Sequence, residues 1–373
     1  FSSYQVLREQ YGEVNLSFGR PIHLDEHLDA CHPDWRRESL DRDGKPPWLA
    51  QAVDRLAYGI LTRINDAASV NAINLVAMAV LASPKNAMSQ EDLESHLALY
   101  QELLAVLPPS PEMTVTDREP SAIVAHAEKL GAIQRREHEL GDVLSCDERG
   151  AFLLSYFRNN VSHCATVYSW CACVFMNNMN FSRRELLRMG RVIFPFLKGE
   201  RFLHHSSQEF VEACERCLDF FLERGLIVAT DDPDVLSRAP GGSTEAFHMR
   251  LLGHNVFSSL ERYYMVVAML TRAGKGAITS AELEKQCQQT AERLSMLHFM
   301  ETPDYFDKHL FRNFIRRLKD RGILGSDGEG RLEFDDTLSV VLEDAKKILS
   351  KDVRHSILKA SPDLPTLEER DAA

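Results

Sequence analysis

One short segment of the sequence has the spacing of a metal-binding helix. His23 and His27 lie four residues apart, with Glu26 between them, in the order of the inverted zinc-protease signature. On a helix, both imidazoles would lie on one face, as two zinc ligands require. The alternative is an exposed, polar helix start directly after Pro21, because a match this short arises easily by chance. We favour that alternative and predict no metal site.

A second candidate for metal chemistry is the single C-x-x-C pair of Cys214 and Cys217. A structural zinc site usually needs two such pairs, placed on turns. Both cysteines instead lie at apolar positions of a helical pattern, where Cys behaves as a small hydrophobic residue. We predict core packing for this pair, and also for Cys171 and Cys173.

Two helical segments carry basic faces. The first contains Arg183, Arg184 and Arg188, and the second contains Arg312, Arg316 and Arg317. Such a face can be solvated and held by local ion pairs. It can also contact an anionic membrane surface or an acidic protein, or DNA phosphates if it belongs to a winged helix. We rank the solvated face first, the membrane or acidic partner second, and DNA third.

Composition limits the function further. The chain has 373 residues with a net charge of −12, which argues against a nucleic-acid partner. Its length suggests two or three domains. Eight scattered cysteines favour reduced thiols in the cytosol. The charge-free stretch 159–182 has too short an apolar centre to span a membrane. No phosphate-binding loop, nucleophile elbow or paired-carboxylate motif is present, and we predict no cofactor.

The elements that must position any site are organised as a threefold repeat. Each repeat starts with a Ser or Thr, which is followed three residues later by an acidic residue and then by Leu. About 40 residues further on comes a Gly, followed by a run of apolar residues. Ser89, Ser182 and Thr279 are the predicted helix N-caps. The corresponding glycines, each predicted to end a helix, are Gly131, Gly225 and Gly322.

An apolar helix precedes each cap, and a hairpin-like segment follows each Gly. This order predicts a mainly α fold with short β-hairpins (α+β), built from three tandem winged-helix-like units. We place the units at residues 50–147, 148–250 and 251–350. A strand over residues 14–18 lies within the preceding segment, 1–49, and a tail follows at 351–373.

Three stretches resemble a known family. Residues 156–163, Tyr-Phe-Arg-Asn-Asn-Val-Ser-His, are similar to a Tyr-Arg-Asn-Asn…His block of the bacterial membrane-bound glycerol-3-phosphate O-acyltransferases. Residues 291–298 with 303–308 resemble a block near the C-terminus of those enzymes. Residues 12–22 resemble the final strand and Gly-x-Pro-Ile turn of their acyltransferase domain. The resemblance covers nearly the whole chain, in order.

The resemblance implies acyl transfer from an acyl carrier protein or coenzyme A to glycerol 3-phosphate, at the cytoplasmic face of the bacterial inner membrane. The family's general base belongs to a His-x4-Asp motif. None of the 14 histidines is followed by Asp at that distance, and His204 with Glu209 comes nearest. We therefore assign no catalytic or substrate-binding residue, and expect this chain to be the C-terminal half of such an enzyme, following a truncated α/β acyltransferase domain.

Within the two resembling blocks, several polar residues have an open role. They can tie helices together, or they can contact the catalytic domain or the acyl donor. These residues are Arg158, Asn159, Asn160, His163 and His298. The alternative to the acyltransferase hypothesis is a winged-helix module that binds nucleic acid or protein without catalysis.

Overall fold

The computed structural model describes residues 13–37, 45–298 and 303–362. This part of the chain is mainly helical with small antiparallel sheets, which confirms the α+β prediction. Its helices are α1 (Leu24–Cys31), α2 (Pro47–Asp66), α3 (Ala72–Ala82), α4 (Gln90–Val106), α5 (Pro120–Lys129), α6 (Glu148–Val161), α7 (Thr166–Met176), α8 (Arg183–Arg201), α9 (Ser207–Glu223), α10 (Thr244–Ala273), α11 (Ser280–His298), α12 (Lys308–Asp320), α13 (Thr337–Ile348) and α14 (Lys351–Ala360).

The strands are short. They are β1 (Ser69–Val70), β2 (Ala87–Ser89), β3 (Thr114–Val115), β4 (Gln134–Arg136), β5 (Val143–Ser145), β6 (Asn180–Ser182), β7 (Ile227–Ala229), β8 (Val235–Arg238), β9 (Leu324–Ser326) and β10 (Leu332–Phe334). Two antiparallel sheets have the orders β2-β5-β4 and β6-β8-β7. Strands β9 and β10 form a hairpin, and β1 pairs with β3 in parallel.

The same order of elements recurs three times. Each unit has a helix, an extended segment, two helices and a hairpin, beginning at α3, α7 and α10. The last strand lies in the middle of each three-stranded sheet, and in the third unit Thr279 bridges to Arg331 beside β10. Each last strand buries one leucine, and these are Leu144, Leu236 and Leu332. The repeat predicted from the sequence is therefore present in the strand pairing.

The predicted helix N-caps and helix-ending glycines are confirmed. The hydroxyls of Ser89, Ser182 and Thr279 each accept a hydrogen bond from the backbone N–H three residues later. This satisfies one of the free amides at the helix start. Gly131, Gly225 and Gly322 have φ of +69°, +68° and +69°, the left-handed conformation that ends a helix before each hairpin.

One contiguous hydrophobic core joins the units, and α10 runs through it beside α7. The two helices approach closely at Gly253, where a Cβ atom would lie 2.9 Å from the Cα of Cys173. The Ser169 hydroxyl donates to the Gly253 carbonyl at 3.2 Å. The small residue thus lets two buried helices pack backbone against backbone.

The strand predicted over residues 14–18 is not formed. Residues 13–23 are extended, without regular secondary structure, and Val14, Leu16 and Phe18 are 93%, 80% and 89% exposed. A strand needs a partner for its backbone groups, and in the described residues none lies beside this segment. Part of the predicted tail, by contrast, is the helix α14, which buries Ile357 and Ala360.

Candidate functional site: a polar cleft between the units

A cleft of about 570 Å³ lies where the three units meet. We call it the polar cleft. The ends of α3, α6 and α8, the middle of α10 and the start of α12 surround it. Its charged lining residues are Arg158, Glu200, Arg201, Glu261, Arg262 and Asp307. This concentration of charge between helices makes it the candidate site.

The C-terminus of α8 organises one side of the cleft. Phe202 adopts a left-handed conformation, φ +51°, and turns the chain away from the helix axis. Side chains from α2 bind the carbonyls left free at this helix end. The Tyr58 hydroxyl donates to the carbonyls of Lys198 and Leu203 at 3.2 and 3.1 Å, and the Asn65 amide donates to that of Arg201 at 2.8 Å.

Glu200 is fully engaged by donors from α10. Its Oε1 accepts from the Ser259 hydroxyl at 2.6 Å and from Arg262 at 2.8 Å, and its Oε2 accepts from the Tyr263 hydroxyl at 2.6 Å. Burial alone would raise the pKa of Glu200, but Arg262 and Arg201 hold it below its usual value. Glu200 is therefore an ionised anchor between the second and third units.

Arg201 and Glu261 complete the charged lining. The Arg201 guanidinium donates to the carbonyls of Ser162 and Asn255 at 2.7 and 2.6 Å. Burial raises the pKa of Glu261 to about 7, partly opposed by Arg262 and the Tyr305 hydroxyl. Near neutral pH the cleft thus holds a fixed guanidinium beside a carboxyl that is only partly ionised.

The structure brings both resembling blocks to this cleft. Arg158, Asn159 and His163 from the first block line it, together with Tyr305 and Asp307 from the second. The blocks also share a second cleft of about 420 Å³, lined by Asn159 and Asp307 among others. Segments more than 130 residues apart in the sequence therefore form one surface.

His163 has a defined structural contact. Its Nε2 donates to the Asn65 carbonyl at 3.0 Å, which ties it to α2. Burial lowers the pKa of His163 to about 4, so the imidazole is neutral at physiological pH. Asn160 is exposed, and the His298 side chain lies outside the described part of the structure. The first block ends α6 and precedes the apolar helix α7.

The basic residues of α8 differ in their surroundings. Arg183 pairs with Asp219 at 2.8 Å. Arg188 contacts both Glu185 and Asp344, at 2.7 and 2.6 Å. The Arg184 side chain is exposed. Local ion pairs thus hold two of the three arginines on this surface of α8.

Arg317 does not share a face with the other two basic residues of α12. Arg312 pairs with Glu284 at 2.6 Å, and Arg316 is exposed. Arg317 instead packs over Gly199 and donates to its carbonyl at 2.8 Å. Residues 312 and 316 are one helical turn apart, whereas 317 points elsewhere. The predicted surface of three arginines is therefore reduced to two.

The histidines and cysteines of the short motifs have separate surroundings. His23 occupies the N-cap position of α1 without a side-chain capping bond, and His27 lies within the helix, where it contacts the Ala52 carbonyl at 2.9 Å. Cys214 and Cys217 are buried, which confirms their core packing. Within residues 13–37, 45–298 and 303–362, no group of three His, Cys, Asp or Glu side chains is placed to hold a metal ion.

His204, the nearest approach to a His-x4-Asp motif, does not pair with Glu209. Its Nδ1 lies 2.7 Å from Asp66, whereas Glu209 accepts from the backbone amide of Ser206 at the start of α9. Glu209 is therefore a capping residue. The Asp66 partner was not predicted, because it lies 138 residues away.

Sequence reasoning missed the charged residues that line the polar cleft from the end of α8 and from α10, which are Glu200, Arg201, Glu261 and Arg262. Glu261 and Arg262 immediately precede the apolar run 263–270, and both are buried. The available signal was that these charges directly precede an apolar helical run. A charge that such a helix carries into the core needs a partner there. Across the described residues, no helix combines the length and apolar character that a bilayer crossing requires.

An exposed apolar surface lies on the side of α2. Leu16 of the extended segment, with Ile60 and Ile64 of α2, lines a shallow cleft of about 420 Å³. Ile60 and Ile64 are 42% and 61% exposed. We call this surface, with Val14 and Phe18, the N-terminal apolar face. Apolar side chains grouped in this way on a surface indicate a site of interaction.

Comparison with known proteins identifies the family. Residues 1–327 match the model for the glycerol-3-phosphate acyltransferase C-terminal region. Glycerol-3-phosphate acyltransferase of Xanthomonas campestris is 45% identical over 96% of this chain and 41% of its own length. The Xylella fastidiosa protein of the same name is 40% identical over 96% and 42%.

A third relative, glycerol-3-phosphate acyltransferase of Pseudomonas paraeruginosa, is 35% identical over 100% of this chain and 45% of its own length. The chain thus spans less than half the length of these relatives. Since the family model matches most of its residues, the chain belongs to the family of glycerol-3-phosphate acyltransferase C-terminal regions.

Proposed function

We propose that this chain is the C-terminal region of a glycerol-3-phosphate 1-O-acyltransferase. The parent enzyme transfers an acyl group from acyl carrier protein or coenzyme A to glycerol 3-phosphate and forms lysophosphatidic acid, at the start of phospholipid synthesis. The observation that carries this proposal is the ordered match to acyltransferases at 35–45% identity over 96–100% of the chain. The His-x4-Asp motif belongs to the remainder of the parent enzyme.

In this proposal the chain supports the catalytic domain. The three repeated units, which begin at α3, α7 and α10, are winged-helix-like units and serve protein contacts. The N-terminal apolar face is where the acyltransferase domain docks, and residues 14–18 complete the last strand of that domain. The alternation of Val14, Leu16 and Phe18 supports this, since all three are exposed and period two is that of a strand.

The proposal places the parent enzyme peripherally on the cytoplasmic face of the bacterial inner membrane. Arg184 and Arg316 are exposed, so among the six predicted arginines they are the best placed to contact anionic lipid or an acidic acyl carrier protein. Arg183, Arg188 and Arg312 are held in ion pairs, and their contribution is expected to be smaller.

A chimera tests the proposal. The matched C-terminal part of the Xanthomonas campestris relative is replaced by this chain, and acyl transfer to glycerol 3-phosphate is measured in membranes. We expect activity from the chimera and none from this chain alone. In the same chimera, Ile64→Glu is expected to lower activity by about tenfold, because it places a charge in an apolar interface.

Gln51→Glu is the matched control, since it adds the same charge at an exposed polar position of α2, and we expect it to retain activity. Both variants should leave the melting temperature of the isolated chain unchanged. An inactive chimera that accumulates to the level of the active parental enzyme would contradict the proposed function.

A further inference from the structure

The polar cleft contains a cation whose direct hydrogen-bond acceptors are all neutral. The Arg201 guanidinium donates to two main-chain carbonyls, those of Ser162 and Asn255, and lies 3.5 Å from the Ser259 hydroxyl. A guanidinium has five N–H donors. Among the described residues, no acceptor takes the Nε–H of Arg201. Its orientation is therefore fixed while donors remain for an anion.

The carboxylates near Arg201 are committed elsewhere. Both oxygens of Glu200 are occupied by donors from α10. Glu261 is buried against Tyr305. Asp307 caps α12 by accepting from the His309 amide at 2.8 Å. None of the three is bonded directly to Arg201, although Glu200 and Arg201 attract each other electrostatically.

The same cleft also has apolar lining residues. Ala82 at the end of α3, Met176 at the end of α7 and Leu310 of α12 are half-buried lining residues. Leu81 and Phe257, 7% and 8% exposed, also line the cleft. Methionine adapts easily to an apolar ligand. The cleft volume, about 570 Å³, is also within the usual range for small-molecule sites.

We propose that the polar cleft binds an anionic amphiphile, with its phosphate or carboxylate head on Arg201 and its acyl chain along Ala82, Met176 and Leu310. A simple anion would leave the apolar lining unused, and a neutral lipid would leave the remaining donors of Arg201 without a charged acceptor. Lysophosphatidic acid is one member of this class, and its relevance as the enzyme's product rests on the proposed function.

Calorimetric titration of the full 373-residue chain tests the ligand class, with each probe below its critical micelle concentration. The probes are 1-lauroyl-glycerol 3-phosphate, dodecanoate, glycerol 3-phosphate and monolaurin. We expect saturable binding of at least one charged amphiphile, and binding about tenfold or more weaker for both glycerol 3-phosphate and monolaurin. The stronger of the two charged amphiphiles identifies the head group.

Variants locate the site. Ser258→Asp adds a carboxylate to the cleft lining at a half-buried position, and we expect affinity for the charged amphiphile to fall about tenfold. Ser258→Asn is the matched uncharged control and is expected to bind within about twofold of wild type. Arg201→Gln should also weaken binding, whereas Arg316→Gln, the same charge change outside the cleft, should not.

Equal affinity for glycerol 3-phosphate and its lauroyl ester would overturn the proposal. Unchanged binding by a folded Ser258→Asp variant would also overturn it. The same holds if neither charged amphiphile binds saturably. These measurements need no catalysis. An active chimera without amphiphile binding therefore rejects this inference alone, and binding with an inactive chimera rejects the proposed function alone.

Discussion

The end of α8 and the outer side of α2 distribute polar and apolar groups in opposite ways. At the end of α8, Glu200, Arg201 and Arg262 lie inside the molecule, and partners from several helices surround them. On α2, Ile60 and Ile64 face outwards. A buried charge requires a partner within the folded chain, whereas an exposed apolar surface favours contact with another molecule. The first region therefore holds the units together, and we assign contact with the catalytic domain to the second.

The largest effect is expected from breaking the buried charge cluster. Glu200→Ala leaves Arg262, which is 5% exposed, without its carboxylate. We expect a loss of about 3–5 kcal/mol in the free energy of unfolding, the usual cost of leaving a buried charge unpaired. Urea denaturation measures it. Glu215→Ala, at an exposed position of α9, is the control and should change stability by less than about 0.5 kcal/mol.

Acidification should weaken the interior through its neutral histidines. Burial lowers the pKa of His163 to about 4, and the pKa values of His96 and His248 are also lowered by burial. Because His163 takes up a proton near pH 6.5 in the unfolded chain and only near pH 4 in the folded chain, stability is lost as pH falls through this window, and His96 and His248 add to the loss in the same direction. The His163 contribution is about 3 kcal/mol.

Urea denaturation at pH 7 and at pH 5 measures this loss, and His163→Gln should reduce it. His355, which lies in α14 and has an exposed side chain, provides the control, since His355→Gln should leave the pH dependence unchanged. Equal stability of the unsubstituted protein at both pH values would refute the assignment of neutral buried histidines.

The smallest effects are expected from substitutions at two glycines, and the two changes in the free energy of unfolding should have opposite signs. At Gly253 an added Cβ would meet the Cys173 backbone at 2.9 Å, whereas at Gly59 in α2 nothing lies within 4 Å. Gly253→Ala should destabilise the protein by about 1–3 kcal/mol through overpacking. Gly59→Ala should stabilise it by about 0.5–1 kcal/mol through helix propensity. Thermal denaturation of both variants measures the difference; the same sign for both would contradict the packing described for α10.

Local signals made the repeat predictable from the sequence. A capping serine such as Ser89 and a helix-ending glycine such as Gly131 act within a few residues, and their contacts are confirmed. The polar cleft was not predictable, because Arg201, Asn255 and Arg158 come from three helices and share no spacing. Residues 14–18 have the alternation of a strand, but a strand also needs a neighbour, and spacing alone does not supply one.

The extent of α10 was also missed. Its apolar run, 263–270, marks only the second half of the helix, which begins after the cap at Ser243. The first half contains Gly253, His254 and Asn255, residues with weak helix propensity. Tertiary packing against α7 overrides that propensity, and a boundary placed at residue 250 falls inside the helix.

The length of α10 has a consequence for how the protein unfolds. It comprises 30 residues, of which 21 are buried. By the order of elements it belongs to the third unit, but its side chains pack in the core beside the second unit. In an array of repeats that contact only their neighbours, units can melt one after another. Here the third unit cannot unfold without exposing the core that α10 shares with α7 of the second, so we expect these two units to unfold in one cooperative transition.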